Sequence, residues 1–203
     1  MKFSSRLIED AVDAFAKLPG IGKKTALRLV LHLVQREKMA TEDFAMSLLR
    51  MRERILLCTV CHNISDNLLC EVCADSRRDR SVVCVVEGIR DVMAIEDTSQ
   101  FRGLYHILGG IISPIEGKGP SDLNIDSLLE RVSQGEIKEL VMAVSPTIEG
   151  ETTIFYLSKR LRDYEQLKIS TIARGVAFGG ELEYADEITL GRSIVARIPY
   201  QQG

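Results

Sequence analysis

No stretch of this 203-residue sequence approaches the roughly 20 consecutive apolar residues that a membrane-spanning helix needs. The opening MKFSSRLIEDAVDAF has no long apolar run after its first charges, so no secretory leader is expected and the chain is placed in the cytoplasm, away from membranes. There is no internal repeat and no low-complexity tract. A hydrophobic content of 45% with 27% charged residues excludes the disordered class. Positive charge is not in surplus: the net charge is −3, which by itself does not announce a nucleic-acid binder. The chain also lacks the even cysteine count of a disulfide scaffold. Five cysteines without a leader point to reduced thiols and metal.

Four of the five cysteines stand as Cys58-Thr59-Val60-Cys61 and Cys70-Glu71-Val72-Cys73, separated by a short polar turn. Two C-x-x-C pairs at this distance can set four thiolates at the corners of a tetrahedron, the geometry of a closed structural Zn²⁺ site with no open position for substrate. Free or disulfide-bonded cysteines in a loop are the alternative. His62 is placed beside the ligands rather than among them. A segment this small has almost no core of its own, so one structural ion per chain would hold it. Cys84, inside Ser81-Val82-Val83-Cys84-Val85-Val86, reads as a small core residue.

The N-terminal part is helical by periodicity. Leu7, Ile8, Val12, Phe15 and Leu18 form one apolar stripe that ends at Pro19, and a second helix carries Leu27, Val30, Leu31 and Val34. Between them lies Leu18-Pro19-Gly20-Ile21-Gly22-Lys23-Lys24-Thr25-Ala26. A tight glycine turn that opens a helix offers unpaired N–H groups, a favourable dipole and two adjacent lysines to a phosphate. This pattern resembles the helix-hairpin-helix motif, and Lys23, Lys24 and Arg28 are assigned to a DNA backbone, which they would grip without reading sequence. An ordinary turn between packed helices is the alternative. A third helix is predicted from about Thr41, with Phe44, Leu48, Met51, Ile55 and Leu56 on one face. Arg50, Arg52 and Arg54 follow that helix round, which suits a solvated surface as well as a DNA contact.

After the polar run Asp75–Arg80 the rhythm becomes strand and helix in alternation, as in a mostly parallel sheet with flanking helices. Predicted strands cover 81–86, 104–108, 140–144 and 169–172, and predicted helices cover 89–95, 125–133 and 154–162. Glu87-Gly88 closes the first strand, and Ser145-Pro146-Thr147-Ile148-Glu149-Gly150-Glu151 follows the third. The first strand with its Glu-Gly resembles the Toprim domain of topoisomerases, primases and some nucleases. There a second acidic pair completes a Mg²⁺ site, but the corresponding positions here read Ser145-x-Thr147 and supply no charge. Catalytic Mg²⁺ wants two or more carboxylates, so strand cleavage is not expected. Tyr156 is assigned to packing. Splitting the chain after Arg80 gives 14 Lys and Arg against 11 Asp and Glu, a balance of +3, and then 12 against 18, a balance of −6. A polyanion would dock on the first part.

The last stretch, Arg174-Gly175-Val176-Ala177-Phe178-Gly179-Gly180-Glu181-Leu182-Glu183-Tyr184-Ala185-Asp186-Glu187, reads as a glycine-hinged loop leading to a helix through Ile194. Hairpin, four-cysteine knuckle, Glu-Gly strand, Ser-Pro-Thr-Ile-Glu-Gly-Glu-Thr-Thr and Gly-Gly-Glu-Leu-Glu-Tyr-Ala-Asp-Glu, in this order, are similar to the RecR family of bacterial recombination mediators over the whole length. The resemblance implies an α+β and α/β multidomain protein: a helix-hairpin-helix domain over 1–54, a four-cysteine zinc finger over 55–79, a Toprim domain over 80–174 and a subunit-contact segment over 175–203. It also implies a non-enzymatic homotetrameric ring. Such a ring would act with RecO and RecF on gapped single- and double-stranded DNA, helping to load RecA where single-strand-binding protein is bound. Glu87, Glu149 and Glu151 would then be partner-binding or vestigial acids. The rivals are a Mg²⁺-dependent Toprim nuclease or primase and a zinc-ribbon adaptor that never touches DNA.

Overall fold

The computed structural model describes residues 5–173, 175–176, 179, 181–197 and 199, in two compact units, Met1–Ile55 and Leu56–Gly203. In the first unit, helices α1 (Arg6–Ala16) and α2 (Lys23–Val34) pack through Val12, Ala26 and Val30, with Ile8, Phe15 and Leu27 around them. Their 3.6-residue apolar spacing turns one stripe of each helix inward. Helix α3 (Lys38–Arg54) starts three residues before Thr41, where Lys38 reaches Glu42 at 3.3 Å across one turn. It also ends sooner than its apolar periodicity suggests. Ile55 turns to an extended conformation and Leu56 becomes a strand residue, so the predicted five-residue face is cut to Phe44, Leu48 and Met51. No described side chain of α3 is buried within its unit.

The second unit opens with two short antiparallel strands, β1 (Leu56–Leu57) and β2 (Ile64–Ser65), and the one-turn helix α4 (Glu71–Ala74). There follow β3 (Asp79–Val86), α5 (Ile89–Asp97), β4 (Gly103–Ile107), α6 (Ile125–Ser133), β5 (Glu139–Ala143), α7 (Ile148–Arg160), β6 (Lys168–Thr171) and α8 (Glu187–Val195). The four long-range strands form one parallel sheet in the order β4-β3-β5-β6, with Cys84 level with Tyr105 on one side and Val141 on the other. Alternation splits the core. Val83, Val85, Leu140 and Met142 meet Leu128, Val132 and Leu157 of α6 and α7, while Cys84, Val86 and Tyr105 meet Val92 of α5. The two faces are thus covered by different helices. The chain leaves β3 toward β4 on one side and resumes at β5 on the other, which puts the topological switch point at the carboxyl ends of β3 and β5.

Helix α7 begins six residues before the predicted Ile154. Pro146 and Gly150 look like loop punctuation in the sequence, yet the Thr147 hydroxyl accepts the Gly150 N–H at 3.1 Å as an N-cap. Glycine is required there for space: a Cβ at position 150 would lie 2.0 Å from the Ser145 carbonyl oxygen. Glu149 and Glu151 are therefore first-turn helical residues.

Candidate metal centre and nucleic-acid interface

The four cysteines come together. Their sulfurs all lie within 4.8 Å of one another, every residue is buried, and they form the one cluster of three or more potential ligands among the described residues. Local geometry explains the convergence. The Cys58 N–H donates to the Asn63 carbonyl at 2.7 Å and the His62 N–H to the Cys58 carbonyl at 3.0 Å, which curls the first C-x-x-C into a tight turn. His62 takes φ +63°, and its Nε2 turns away from the sulfurs to Ser127 Oγ at 2.8 Å. Cys70 is the N-cap of α4 and Cys73 lies inside that turn, so the second pair points the same way. Burial works to raise the pKa of Cys58, Cys61 and Cys70, with different outcomes. At Cys58 the backbone N–H groups of Cys70, Cys61 and Val60 outweigh burial and bring it down to about 7. Cys70 is pushed up to about 11, by burial foremost with the charge on Cys61 adding to it, and Cys61 is raised by its hydrogen bond with Cys73 and by burial. Four thiolates this close repel one another unless a cation sits between them. A closed, buried, all-sulfur set fits a tetrahedral divalent ion and leaves no position for a substrate.

The knuckle is docked on the main sheet along the open edge of β4. Ile107 N–H donates to the Cys61 carbonyl at 2.9 Å. The outward carbonyls of the same strand are taken by side chains: Arg78 on Gly103 at 3.3 Å, Arg131 on Tyr105 at 2.7 Å and Asn124 on Ile107 at 2.9 Å. Unpaired strand edges invite association with other chains, and this one is closed by the metal-binding segment and three side chains. Below it the His106 ring is fully buried against the His62 ring, with centroids 5.2 Å apart, and burial holds its pKa down at about 4. None of Arg78, Arg131, Asn124 or His106 carries a motif. A strand's outer edge is visible only once strand order is known.

At the hairpin, Gly20 takes φ +78°, and the Ile21 N–H returns to the Leu18 carbonyl at 3.1 Å, reversing the chain in four residues. The first hydrogen bond of α2 runs from the Ala26 N–H to the Gly22 carbonyl at 2.9 Å, so the N–H groups of Lys23, Lys24 and Thr25 have no acceptor within the helix. The structure divides the three assigned cations. Lys24 and Arg28, one turn apart, line a shallow depression with Leu27, Leu31, His32 and Gln35. Lys23 faces the α1 side, where its Nζ lies 3.4 Å from Asp13 Oδ1. Sequence order gave no sign of that acidic neighbour.

The acids of the α/β domain do not converge. Glu87, at the switch point, accepts the Ser145 N–H on Oε1 at 2.6 Å and so ties the end of β3 to the end of β5. Glu149 and Glu151 stand two apart on α7, which sends them in different directions. Neither Ser145 nor Thr147 adds a carboxylate. Tyr156 packs partly buried against the core, and its hydroxyl accepts from Arg160 at 2.9 Å. Of the glycine-hinged loop, Arg174, Ala177, Phe178 and Gly180 lie outside the described residues. Leu182–Tyr184 form one 3-10 turn before α8, whose N-cap Asp186 accepts the Thr189 N–H at 2.9 Å. Among the described residues no helix is long and apolar enough to cross a membrane.

A helical hairpin with basic residues at its turn, together with a four-sulfur metal cluster docked on a parallel sheet whose acid stands at the switch point, defines a multidomain Toprim protein with a helix-hairpin-helix module. Comparison with known proteins narrows the class. A RecR helix-hairpin-helix model matches residues 8–52, a Toprim domain model residues 81–173 and a RecR C-terminal model residues 175–198. The recombination protein RecR of Flavobacterium psychrophilum is 58% identical over 201 residues, covering 99% of this chain and 97% of that one. Those of Cytophaga hutchinsonii and Porphyromonas gingivalis strain W83 are each 57% identical, over 202 and 199 residues, with 99% and 98% of this chain covered and 98% and 96% of theirs. The chain belongs to the RecR family, and its Toprim domain is a non-catalytic one.

Proposed function

We propose that this protein is a DNA-binding recombination mediator in DNA repair. It holds one structural Zn²⁺ on Cys58, Cys61, Cys70 and Cys73. It grips phosphate backbones through Lys24 and Arg28, with Lys23 joining once Asp13 releases it. It assembles as a homotetrameric ring in the cytoplasm and acts with RecO and RecF to help load RecA onto gapped DNA coated by single-strand-binding protein. Glu149 and Glu151 belong to a surface for a basic partner, while Glu87 serves the fold. The observation that carries this reading is the start of α2, where three N–H groups without an acceptor in the helix and exposed cations stand together on a hairpin in a chain of the RecR family. Zinc supplies only cohesion: it neutralises half of the thiolate charge and closes the knuckle.

The test is a titration of labelled gapped duplex at several salt concentrations in Mg²⁺, followed by denaturing electrophoresis. Salt-sensitive binding with intact strands is expected. In Lys24→Ala/Arg28→Ala the log-log salt slope should fall by about 0.9 for each phosphate that is no longer gripped. An unchanged slope removes the hairpin from DNA binding, and cleaved strands would restore the nuclease reading.

A further inference from the structure

Arg131 is a partly buried cation with no carboxylate partner among the described residues, and Arg80 beside it, though exposed, has none there either. Unpaired guanidinium groups are common at exposed positions, but a desolvated one calls for an anion. What surrounds Arg131 is the metal knuckle. One turn earlier on α6, Ser127 holds His62, the residue next to Cys61. Arg131 Nη1 bonds the Tyr105 carbonyl at 2.7 Å, two residues along β4 from the Ile107 N–H that bonds the Cys61 carbonyl. Arg80 Nη2 reaches the Cys73 carbonyl at 3.4 Å. Electrostatics agree with this placement. Burial lowers the pKa of the Arg131 guanidinium, the charges of Cys73, Cys61 and Cys58 act against that, and Arg80 repels it. Two cations that repel each other are thus set beside the cysteine cluster.

We propose that Arg131, with Arg80, is the cationic part of the metal centre. A divalent ion on four thiolates carries two negative charges, and these two guanidinium groups cancel them. Because Arg131 also caps the Tyr105 carbonyl, loss of the ion loosens β4 as well as the knuckle. Arg131 is a positioning residue: it touches no ligand atom of the ion and acts through the field at the sulfurs and through the strand edge. The inference rests on the loaded centre proposed above.

Its test is a metal-affinity measurement on the full chain, with Zn²⁺ or Co²⁺ set against a chromophoric chelator and the Co²⁺–thiolate charge-transfer bands recorded. Arg131→Gln should weaken binding by about 10- to 100-fold, the usual cost of removing an outer partner of a metal site. Arg131→Lys, which keeps the charge, should recover most of that loss. Arg80→Gln, at an exposed position that tolerates change, should weaken binding by a smaller factor that shrinks as salt is raised. A folded Arg131→Gln with wild-type affinity would reduce Arg131 to a cap on β4, and so would an Arg131→Lys as weak as Arg131→Gln. Should Arg131→Gln fail to fold, an Arg80→Gln with unchanged affinity at low salt overturns the charge balance. Failure of the wild-type chain to bind either ion would sink the metal centre itself, a separate outcome.

Discussion

Lys23 shows how little a residue's role follows from its neighbours in sequence. It sits beside Lys24 in a basic turn, yet in the structure it is 76% exposed and paired with Asp13. A pair this exposed is worth about 0–1 kcal/mol, so a phosphate can displace the acid. Asp13→Asn should therefore raise affinity for duplex DNA by about two- to fivefold at low salt, read by fluorescence anisotropy. Equal affinity would mean that Lys23 does not reach DNA. Glu96 is the contrasting case. It accepts from Nη1 of Arg78 at 2.8 Å and from its Nη2, and from the Tyr105 hydroxyl at 2.6 Å, and Arg78 foremost holds its carboxyl below the usual range. Its folded pKa is depressed, so its contribution is present above the unfolded carboxylate pKa and is lost as pH falls through the folded one. Glu96→Gln should destabilise the domain by about 1–2 kcal/mol at pH 7, the gap closing as pH drops below about 4. Denaturant melts of both proteins across that range check it, and a pH-independent gap would refute it. At this scale the cysteines were legible because spacing alone specifies a metal site. Arg131, Arg80 and Glu96 were not, since their meaning depends on which strand edge they face.

Elements were read more reliably where burial dictates pattern. The strand at Ser81–Val86 announces itself because a central parallel strand is apolar on both faces, and α6 matched its predicted span because its apolar positions and its ends agree. The start of α7 was missed because its signals are a capping threonine and a glycine demanded by close packing with Ser145, and both look like a loop in one dimension. Gly150→Ala should thus push the first turn of α7 away from Ser145 and cost about 1–3 kcal/mol by overpacking. Thermal melts would show it, and a neutral change would mean that the loop yields freely. Edge β4 links element to metal. Its Ile107 N–H depends on the Cys61 carbonyl, so stripping the ion with a chelator should speed amide exchange at Ile107 while the interior ladder of β3 with β5 stays protected. Uniform protection after metal removal would show that the knuckle keeps its shape without the ion.

Charge is unevenly shared across the whole molecule. Residues 1–55 carry 11 Lys and Arg against 7 Asp and Glu, a balance of +4, while residues 56–203 carry 15 against 22, a balance of −7. Only the helical unit has a net charge that suits DNA, and there Lys23, Lys24 and Arg28 would offer about three phosphate contacts, too few for tight binding by one copy at physiological salt. In the proposed ring, affinity comes from several copies acting together, which raises effective concentration without new contacts. The helical unit has a candidate surface for such an assembly, because α3 exposes Phe44, Met46, Leu48 and Leu49. Exposed apolar groups in such number mark an interface more often than a free surface. Phe44→Asp/Leu49→Asp leaves every assigned DNA cation in place, so it separates assembly from contact. It should lower the mass seen by light scattering, weaken binding to gapped duplex more than tenfold and cut the salt slope toward the value of about 2.7 expected for three phosphates. A smaller assembly that kept wild-type affinity and slope would show that one copy suffices, and would remove the ring from the account of how this protein holds DNA.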